Sequence, residues 1–197
     1  MLKVLILGAN GQIARVATEL FLERTDTQLT LYLRKSKRLK VADPTRERII
    51  EGDVTDLKTL EVAMNGQDVV YANLSGRMEQ QARNIVKAMH NAGVKCLIFI
   101  SSMGIYGEIP GESYRSVLDE YRDSVAVIEA SDLDYTIVRP AWLSDRDEIA
   151  YGTTQKGEPF SNPSGVVSRK SVADLVVKLA ITPGLEVRHS LGVHKRS

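Results

Sequence analysis

Two glycines and an alanine near the start of the chain have the types and spacing needed to bind a phosphate group. They are Gly8, Gly11 and Ala14, and they directly follow the apolar run Val4-Leu5-Ile6-Leu7. Gly8 allows a tight turn, Gly11 removes a side chain where backbone must approach a pyrophosphate, and Ala14 keeps the next helix close to a sheet. The N-terminus of that helix offers unpaired N–H groups and a positive dipole end, so the stretch predicts a dinucleotide-binding loop.

The spacing Gly-x-x-Gly-x-x-Ala is weak evidence by itself, because glycine turns between a strand and a helix are common. The alternative interpretation is an ordinary strand–helix turn in a protein that binds no nucleotide. The strand–helix alternation continues along the rest of the chain, and this favours the nucleotide. The residues of the loop that we expect to contact the cofactor are Gly8, Asn10, Gly11, Gln12 and Ile13.

A basic segment follows the second predicted strand, residues 28–33, and begins with Arg34. In a dinucleotide fold, a carboxylate at this position binds the free ribose hydroxyls of NAD, whereas an arginine suits the 2′-phosphate of NADP. The guanidinium fork of Arg34 matches a phosphate, and further positive charge lies behind it. NADP is therefore the expected cofactor and NAD the alternative, while a solvated basic loop is the interpretation without a ligand.

The third and fourth predicted strands end in residues that suit the rest of a dinucleotide. Asp53 can accept a hydrogen bond from the adenine amino group while Val54 covers the ring. Small or polar residues follow the fourth strand, where ribose and nicotinamide must pass close to the backbone. These residues are Ala72, Asn73 and Leu74.

Two further strands end near the expected nicotinamide. The hydroxyls of Ser101 and Ser102 lie at the carboxyl end of a central strand, where ligands bind in parallel sheets. Serine also favours turns, which is the alternative explanation. The sixth strand stops at Pro140 and leads into Ala141 and Trp142, which we expect at the same edge. Trp142 either walls a substrate pocket or fills the core beneath a loop.

These strand ends belong to an α/β fold: a doubly wound, mostly parallel sheet with helices on both faces. Apolar runs predict six main strands, a short strand at 151–154 and a final edge strand at 186–193. We expect a single domain over 1–197. Its small substrate-side region is formed by the loops around 103–115 and 141–167.

Composition excludes several classes of function. A net charge of +1 gives no electrostatic case for nucleic acid or an acidic membrane surface. No apolar stretch is long enough to span a bilayer, and the fold begins at the N-terminus without a signal peptide, so we expect a soluble cytoplasmic protein.

Cys96 cannot form an intrachain disulfide because it is the single cysteine. His189 and His194 would face opposite sides of a strand, so no metal site is expected.

The chain resembles the atypical short-chain dehydrogenase/reductase superfamily, in its compact NAD(P)H-binding branch. That branch includes NmrA-like redox sensors and flavin- or biliverdin-reductase-like proteins. The resemblance implies strand order 3-2-1-4-5-6 with an added edge strand, and a bound NADP(H). It is carried by residues 8–14, 52–54, 101–107, 133–140 and 168–174.

The chain departs from the superfamily in its catalytic residues. Most members use a Tyr-x-x-x-Lys pair, in which the lysine lowers the pKa of a tyrosine that protonates the substrate. Here the residues four positions after Tyr106, Tyr114 and Tyr121 are proline, leucine and valine. A serine at the family's position, Ser102, remains as the candidate catalytic residue, and we expect it to hold the substrate or nicotinamide by a hydrogen bond. A sugar-nucleotide epimerase is not expected, because its substrate lobe of about 150 further residues is absent.

Two functions therefore remain. The first is an NAD(P)H-dependent oxidoreductase that prefers NADPH and transfers hydride to a conjugated acceptor such as a flavin or quinone, since hydride transfer needs no protein acid. The alternative is a non-catalytic NADP(H)-binding redox sensor or regulatory protein of the NmrA-like type. The expected partner is a small-molecule substrate, with neither nucleic acid nor membrane, and a homodimer is left open.

Overall fold

Ten β-strands and five α-helices form the fold in the computed structural model, which describes residues 1–196. The predicted domain ends on Ser197, which lies outside the described residues. The strands are β1 Lys3–Leu7, β2 Gln28–Leu33, β3 Glu47–Glu51, β4 Val69–Ala72, β5 Cys96–Ile100, β6 Asp134–Pro140, β7 Trp142–Ser144, β8 Tyr151–Gln155, β9 Val166–Ser168 and β10 His189–Lys195. The helices are α1 Gln12–Arg24, α2 Leu57–Met64, α3 Met78–Ala92, α4 Asp119–Glu129 and α5 Arg169–Ile181.

The main sheet has eight strands in the order β3-β2-β1-β4-β5-β6-β10-β8. Its first seven strands are mutually parallel, and β8 pairs antiparallel with β10. This confirms the predicted doubly wound order 3-2-1-4-5-6 with added strands, and β8 confirms the short strand predicted at 151–154. The strands β7 and β9 form a separate parallel pair beyond the carboxyl edge.

The prediction of a final edge strand at 186–193 is wrong in both its bounds and its place. Glu186 and Arg188 have positive φ angles of 52° and 61°, so the extended segment begins only at His189. The strand then lies between β6 and β8, where Leu191 and Val193 are buried. β8 occupies the edge because it pairs with the side of β10 that faces away from β6.

Helices cover both faces of the sheet because the central strands carry apolar residues on both sides. In β1, Val4 and Ile6 pack in the hydrophobic cluster that contains α1 and α5. Leu5 and Leu7 point the other way, into the cluster that contains α2, α3 and α4. Burial on both faces explains why this strand is a continuous apolar run instead of an alternating one.

A buried ion pair fixes the loop that follows β5. Arg139 on β6 has no exposed surface, and its guanidinium binds the Glu108 carboxylate. Its Nε also donates to Ser190 Oγ at 3.0 Å. Glu108 accepts the backbone N–H groups of Gly104 and Tyr106, both at 3.0 Å. Because removing one partner of a buried pair costs about 3–5 kcal/mol, this contact holds the loop firmly against β6 and β10.

Candidate cofactor and substrate site

Two neighbouring cavities lie at the carboxyl edge of the sheet. The first has a volume of about 450 Å³ and lies over the ends of β1, β2, β3 and β4. The second, of about 270 Å³, lies over the ends of β4, β5 and β6. Asn73 and Leu74 line both cavities, so the two are adjacent where β4 ends.

The glycine loop forms the floor of the first cavity at the start of α1. Gly8 has a φ of +77°, and a Cβ there would lie 2.2 Å from the Asn73 carbonyl oxygen. This confirms the tight turn predicted at Gly8. A Cβ on Gly11 would lie 2.1 Å from the Asn73 side-chain nitrogen, so Gly11 makes room for Asn73 as well as for any ligand.

The N-terminus of α1 is free to bind an anion. Gly11 is its N-cap, and among the described residues no side chain caps this helix by a hydrogen bond. The first turn, Gln12-Ile13-Ala14-Arg15, contains no acidic residue. Asn10 in the loop accepts a hydrogen bond from Arg15 Nε at 3.2 Å, which places a cation beside the turn. Free N–H groups, the helix dipole and this charge together suit a pyrophosphate.

The far end of the first cavity is strongly basic. Arg34, Lys35 and Arg38 line it, following the end of β2. Arg34 is exposed to solvent, as a residue that contacts a ligand phosphate must be in the free protein. The arrangement agrees with the position predicted for a 2′-phosphate, and the phosphate contact itself stays a prediction.

Asp53 and Val54 also line the first cavity, above the end of β3. Asp53 Oδ1 accepts hydrogen bonds from the N–H and the hydroxyl of Thr55, both at 2.8 Å, and these lower the pKa of Asp53. The buried Tyr32 hydroxyl donates to the Asp53 carbonyl at 3.0 Å, and burial raises the pKa of Tyr32 to about 12. Asp53 is therefore a fixed anion whose predicted contact with adenine uses an oxygen other than Oδ1.

The second cavity brings together most of the residues predicted around a nicotinamide. Ser101 and Ser102 contribute to it from the end of β5, and Pro140 and Ala141 from the end of β6. Ser102 Oγ donates to the Met103 carbonyl at 3.1 Å. Within residues 1–196, the Ser101 hydroxyl is buried and has no hydrogen-bond partner. The α1 residues Gln12 and Ile13 complete the wall that faces the glycine loop.

Two predicted residues lie elsewhere. Ala72 is fully buried in β4 and lines neither cavity. Trp142 is 55% exposed, pairs with Val166 across the β7–β9 ladder, and lies under the Arg115 guanidinium at 6.0 Å from the ring centroid. The interpretation of Trp142 as a core residue is therefore wrong, because the short strand β7 turns its ring outward, while its contact with a bound substrate stays a prediction. Leu143, on the opposite side of β7, lines the second cavity instead.

Sequence reasoning also missed two polar residues of the second cavity. Tyr121 comes from the first turn of α4, and Arg169 is the first residue of α5. Arg169 Nη1 binds Asp145 Oδ1 at 2.8 Å. A signal was present for Arg169, since residues 168–174 are among the segments that carry the family resemblance.

Other candidates for chemistry lie apart from the cavities. In the part of the chain that the structure describes, no group of three or more His, Cys, Asp and Glu residues could hold a metal ion. His189 binds Glu186 through Nδ1 at 2.6 Å. Burial raises the pKa of the Cys96 thiol to about 11, which keeps it protonated and unreactive. No helix within residues 1–196 is long and apolar enough to cross a membrane.

Fold and site together define a dinucleotide-binding protein of the Rossmann type. A family model described as NAD(P)H-binding matches residues 8–183, and the chain belongs to this family. It is thus a member of an NAD(P)-binding oxidoreductase family with an atypical short-chain dehydrogenase/reductase-like fold, as the sequence resemblance implied.

Solved structures are similar along nearly the whole chain. A Rossmann-fold NAD(P)-binding family protein from Shigella flexneri is 41% identical, with a TM-score of 0.87 over 99% of this chain and 94% of that one. A short-chain dehydrogenase/reductase from Veillonella parvula, in complex with NADP, is 30% identical, with a TM-score of 0.89 over 98% of this chain and 94% of that one. YhfK of Bacillus subtilis, named an uncharacterized sugar epimerase, is 26% identical over 89% of this chain and 86% of its own length.

Proposed function

We propose that this protein is an NADPH-dependent reductase that transfers hydride to a flat, conjugated acceptor such as a flavin or a quinone. The observation that carries the proposal is that the two cavities are adjacent and share Asn73 and Leu74. One cavity has the basic and helix-terminal groups that suit an adenine dinucleotide phosphate. The other cavity is smaller and lies beside the first. Adjacency is required because the acceptor must lie against the nicotinamide.

The residues of the first cavity fit NADP(H). The loop from Gly8 to Gly11 and the α1 N-terminus would bind the pyrophosphate, and Arg34 with Arg38 would bind the 2′-phosphate. An arginine at the end of β2, in place of a carboxylate, is the reason to prefer NADPH to NADH. The structure of the Veillonella parvula relative contains NADP, which supports the same preference.

The residues of the second cavity would orient the acceptor. Bound NADPH supplies the hydride, and the protein supplies position and a site that excludes water. Ser102 would hold the acceptor or the nicotinamide by a hydrogen bond. Pro140, Ala141 and Leu143 would pack against the flat ring. These roles need neither a nucleophile nor a metal ion.

Proton transfer favours a conjugated acceptor over an alcohol or ketone. Tyr121 lines the second cavity, but Val125 follows it four residues later, and no lysine lines this cavity in the described chain. Tyr121 therefore lacks the lysine that activates the tyrosine of a Tyr-x-x-x-Lys pair as an acid–base group. A reduced flavin or quinone can take its proton from water instead.

A screen of NADPH and NADH oxidation tests the proposal. Purified protein is mixed with each nicotinamide and a panel of flavins, quinones and aldehydes, and the loss of nicotinamide absorbance is followed. We expect turnover with flavins or quinones, faster with NADPH. Turnover confined to aldehydes or ketones would contradict the mechanism. A parallel assay with nucleotide sugars tests the activity in the name of the Bacillus subtilis relative.

The alternative, a non-catalytic NADP(H) sensor, is favoured by the same Val125 that follows Tyr121. A sensor needs the first cavity intact and makes no demand on the second. Calorimetry with NADP⁺ and NADPH distinguishes the two proposals. Tight binding of both, without turnover of any acceptor, would support the sensor.

A further inference from the structure

Arg169 stands out among the residues of the second cavity. It is the one residue lining this cavity in the described chain that carries a formal charge at neutral pH. Its neighbours there include the hydroxyls of Ser101, Ser102 and Tyr121 and the amide of Gln12. A site with several neutral donors and a single cation suits a ligand with one anionic group.

The guanidinium is only partly used by the protein. Arg169 Nη1 binds Asp145, whose side chain is 84% exposed, while Arg169 itself keeps 17% of its side-chain surface. Among residues 1–196 its Nε is buried and has no hydrogen-bond partner. An arginine has five N–H donors in a fixed fork, and an ion pair to an exposed carboxylate contributes little. Donors therefore remain for a ligand.

The helix termini around Arg169 differ in their effect on an anion. Three helices begin at this cavity: α1 with Gln12 and Ile13, α5 with Arg169 itself, and α4, whose first turn contains Tyr121. The first turns of α1 and α5 carry no acidic residue, so their dipoles favour an anion, whereas the first turn of α4 carries two acidic residues. Ser168 already caps α5, so the Arg169 guanidinium, and not a helix terminus, is the group that points to a ligand.

A second observation points to a polar ligand independently of the helices. Ser101 as a whole residue is 5% exposed, and its hydroxyl oxygen is buried and has no partner within the described chain. A buried hydroxyl without a partner is destabilising. Because Ser101 lines the same cavity as Arg169, a ligand with an acceptor oxygen could satisfy both groups.

We propose that the acceptor reduced at this site carries an anionic group, a carboxylate or a phosphate, and that Arg169 binds it. The inference rests on the proposed reductase function and names its substrate class. Arg169 lines the second cavity and not the first. The adenosine end of the cofactor is therefore not its ligand. Since the proposed function assigns the cofactor pyrophosphate to the glycine loop, we assign the group at Arg169 to the acceptor, and the NADPH affinity of Arg169→Gln tests this assignment.

Matched pairs of acceptors test this inference. FMN and riboflavin differ by a phosphate, and a naphthoquinone carboxylate differs from the parent naphthoquinone by a carboxylate. We expect Arg169→Gln to lower kcat/KM for the anionic member of a pair by about tenfold to a hundredfold, and to change the neutral member by less than about twofold. The pair that responds identifies phosphate or carboxylate as the preferred group.

Lys170→Gln is the control, because Lys170 also opens α5 and binds an exposed aspartate, Asp147, but does not line the cavity. It should leave the ratio between the two members unchanged. Arg169→Lys keeps the charge and should retain part of the preference. An equal loss for anionic and neutral acceptors, or a loss of NADPH affinity in Arg169→Gln, would overturn the inference.

Binding distinguishes this inference from the reductase proposal. Calorimetry with FMN and riboflavin is performed on the protein loaded with NADP⁺, so that no turnover is needed. Tighter binding of FMN that is lost in Arg169→Gln supports the anion site even when no acceptor is reduced. Indistinguishable binding of the two flavins by the wild type, together with no preference for the naphthoquinone carboxylate, overturns it.

Discussion

The Asn73 side chain lies directly against Gly11, so that a Cβ on Gly11 would come within 2.1 Å of the Asn73 amide nitrogen. Asn73 follows β4 and lines both cavities, while Gly11 is the N-cap of α1. The contact links the phosphate-binding loop to the point where the two cavities meet. Glycine is required here by a neighbouring side chain, since the φ of Gly11 is an ordinary −64°.

Substitutions at Gly11 should separate its two roles, which are to leave room for the Asn73 side chain and to leave room for the pyrophosphate. Gly11→Ala displaces Asn73, and we expect NADPH affinity to fall by about tenfold with the fold retained. Adding Asn73→Ala removes the clash and should restore part of that affinity, measured by calorimetry as a double-mutant cycle. Gly11→Val reaches the pyrophosphate path itself, so binding should be lost and Asn73→Ala should not rescue it. Unchanged affinity in Gly11→Val would remove Gly11 from the site.

Arg34→Ala should weaken NADPH binding and leave NADH binding nearly unchanged. A charge-assisted contact to phosphate contributes about 1.5–3 kcal/mol, or about tenfold to a hundredfold in affinity. Lys37→Ala is the matched control, because Lys37 lies on the same basic segment but does not line the cavity. Equal affinities of the wild type for the two nucleotides would contradict the prediction and leave the basic segment as surface only.

Ser102→Ala should slow turnover without abolishing it. Loss of one hydrogen bond between neutral groups corresponds to about twofold to tenfold in rate. Tyr121→Phe keeps the shape of the second cavity and should change kcat by less than about twofold, because no lysine activates the hydroxyl. Both are measured with the best acceptor of the screen. Loss of activity on a ketone in Tyr121→Phe would require a tyrosine acid and defeat this mechanism.

Asp174 should make stability depend on pH at the acidic end. It is 4% exposed and binds Arg24 at 2.8 Å, Lys178 at 2.7 Å and the Tyr151 hydroxyl at 2.9 Å. Burial raises the pKa of Asp174, but hydrogen bonds from Lys178 and Tyr151 outweigh burial, so the pKa is lowered from its usual 3.8. A lowered pKa in the folded state stabilises the protein above the unfolded value, and this stabilisation is lost as pH falls through the folded one.

We therefore expect Asp174→Asn to be less stable than the wild type at neutral pH, by about 1–3 kcal/mol. The difference should shrink as the pH falls below 3.8, where the wild-type carboxylate also becomes protonated. Urea unfolding across this range measures it. Asp147→Asn, whose carboxylate is exposed, serves as the control. A gap that stays constant with pH would exclude the carboxylate as its cause.

The sequence was sufficient to predict those elements whose local residue pattern agrees with their place in the fold. The run from Val4 to Leu7 is apolar because both faces of β1 are buried, and Gly8 must follow because its φ is positive. The buried residues Ala82, Ile85 and Met89 repeat at helical spacing, which is why α3 could be predicted. Most predicted cofactor residues line a cavity because strand ends in a parallel sheet share one edge.

What could not be predicted depends on contacts between distant segments. The place of β10 is decided by its pairing with β6 and β8, and no local pattern distinguishes an inner strand from an edge strand of similar composition. Tyr121 and Arg169 come from two helices far apart in sequence and meet only in the folded chain. The outward position of Trp142 depends on the three-residue pairing of β7 with β9.

Because β10 lies between β6 and β8, this side of the sheet cannot form until β10 has been synthesised. β6 and β8 precede β10 in the chain, and β8 pairs with the sheet only through β10. Until Ser190 arrives, Arg139 lacks the hydroxyl and carbonyl that accept two of its hydrogen bonds. A chain stalled before residue 189 thus exposes an open strand edge, the kind of surface that chaperones and proteases encounter in unfinished proteins.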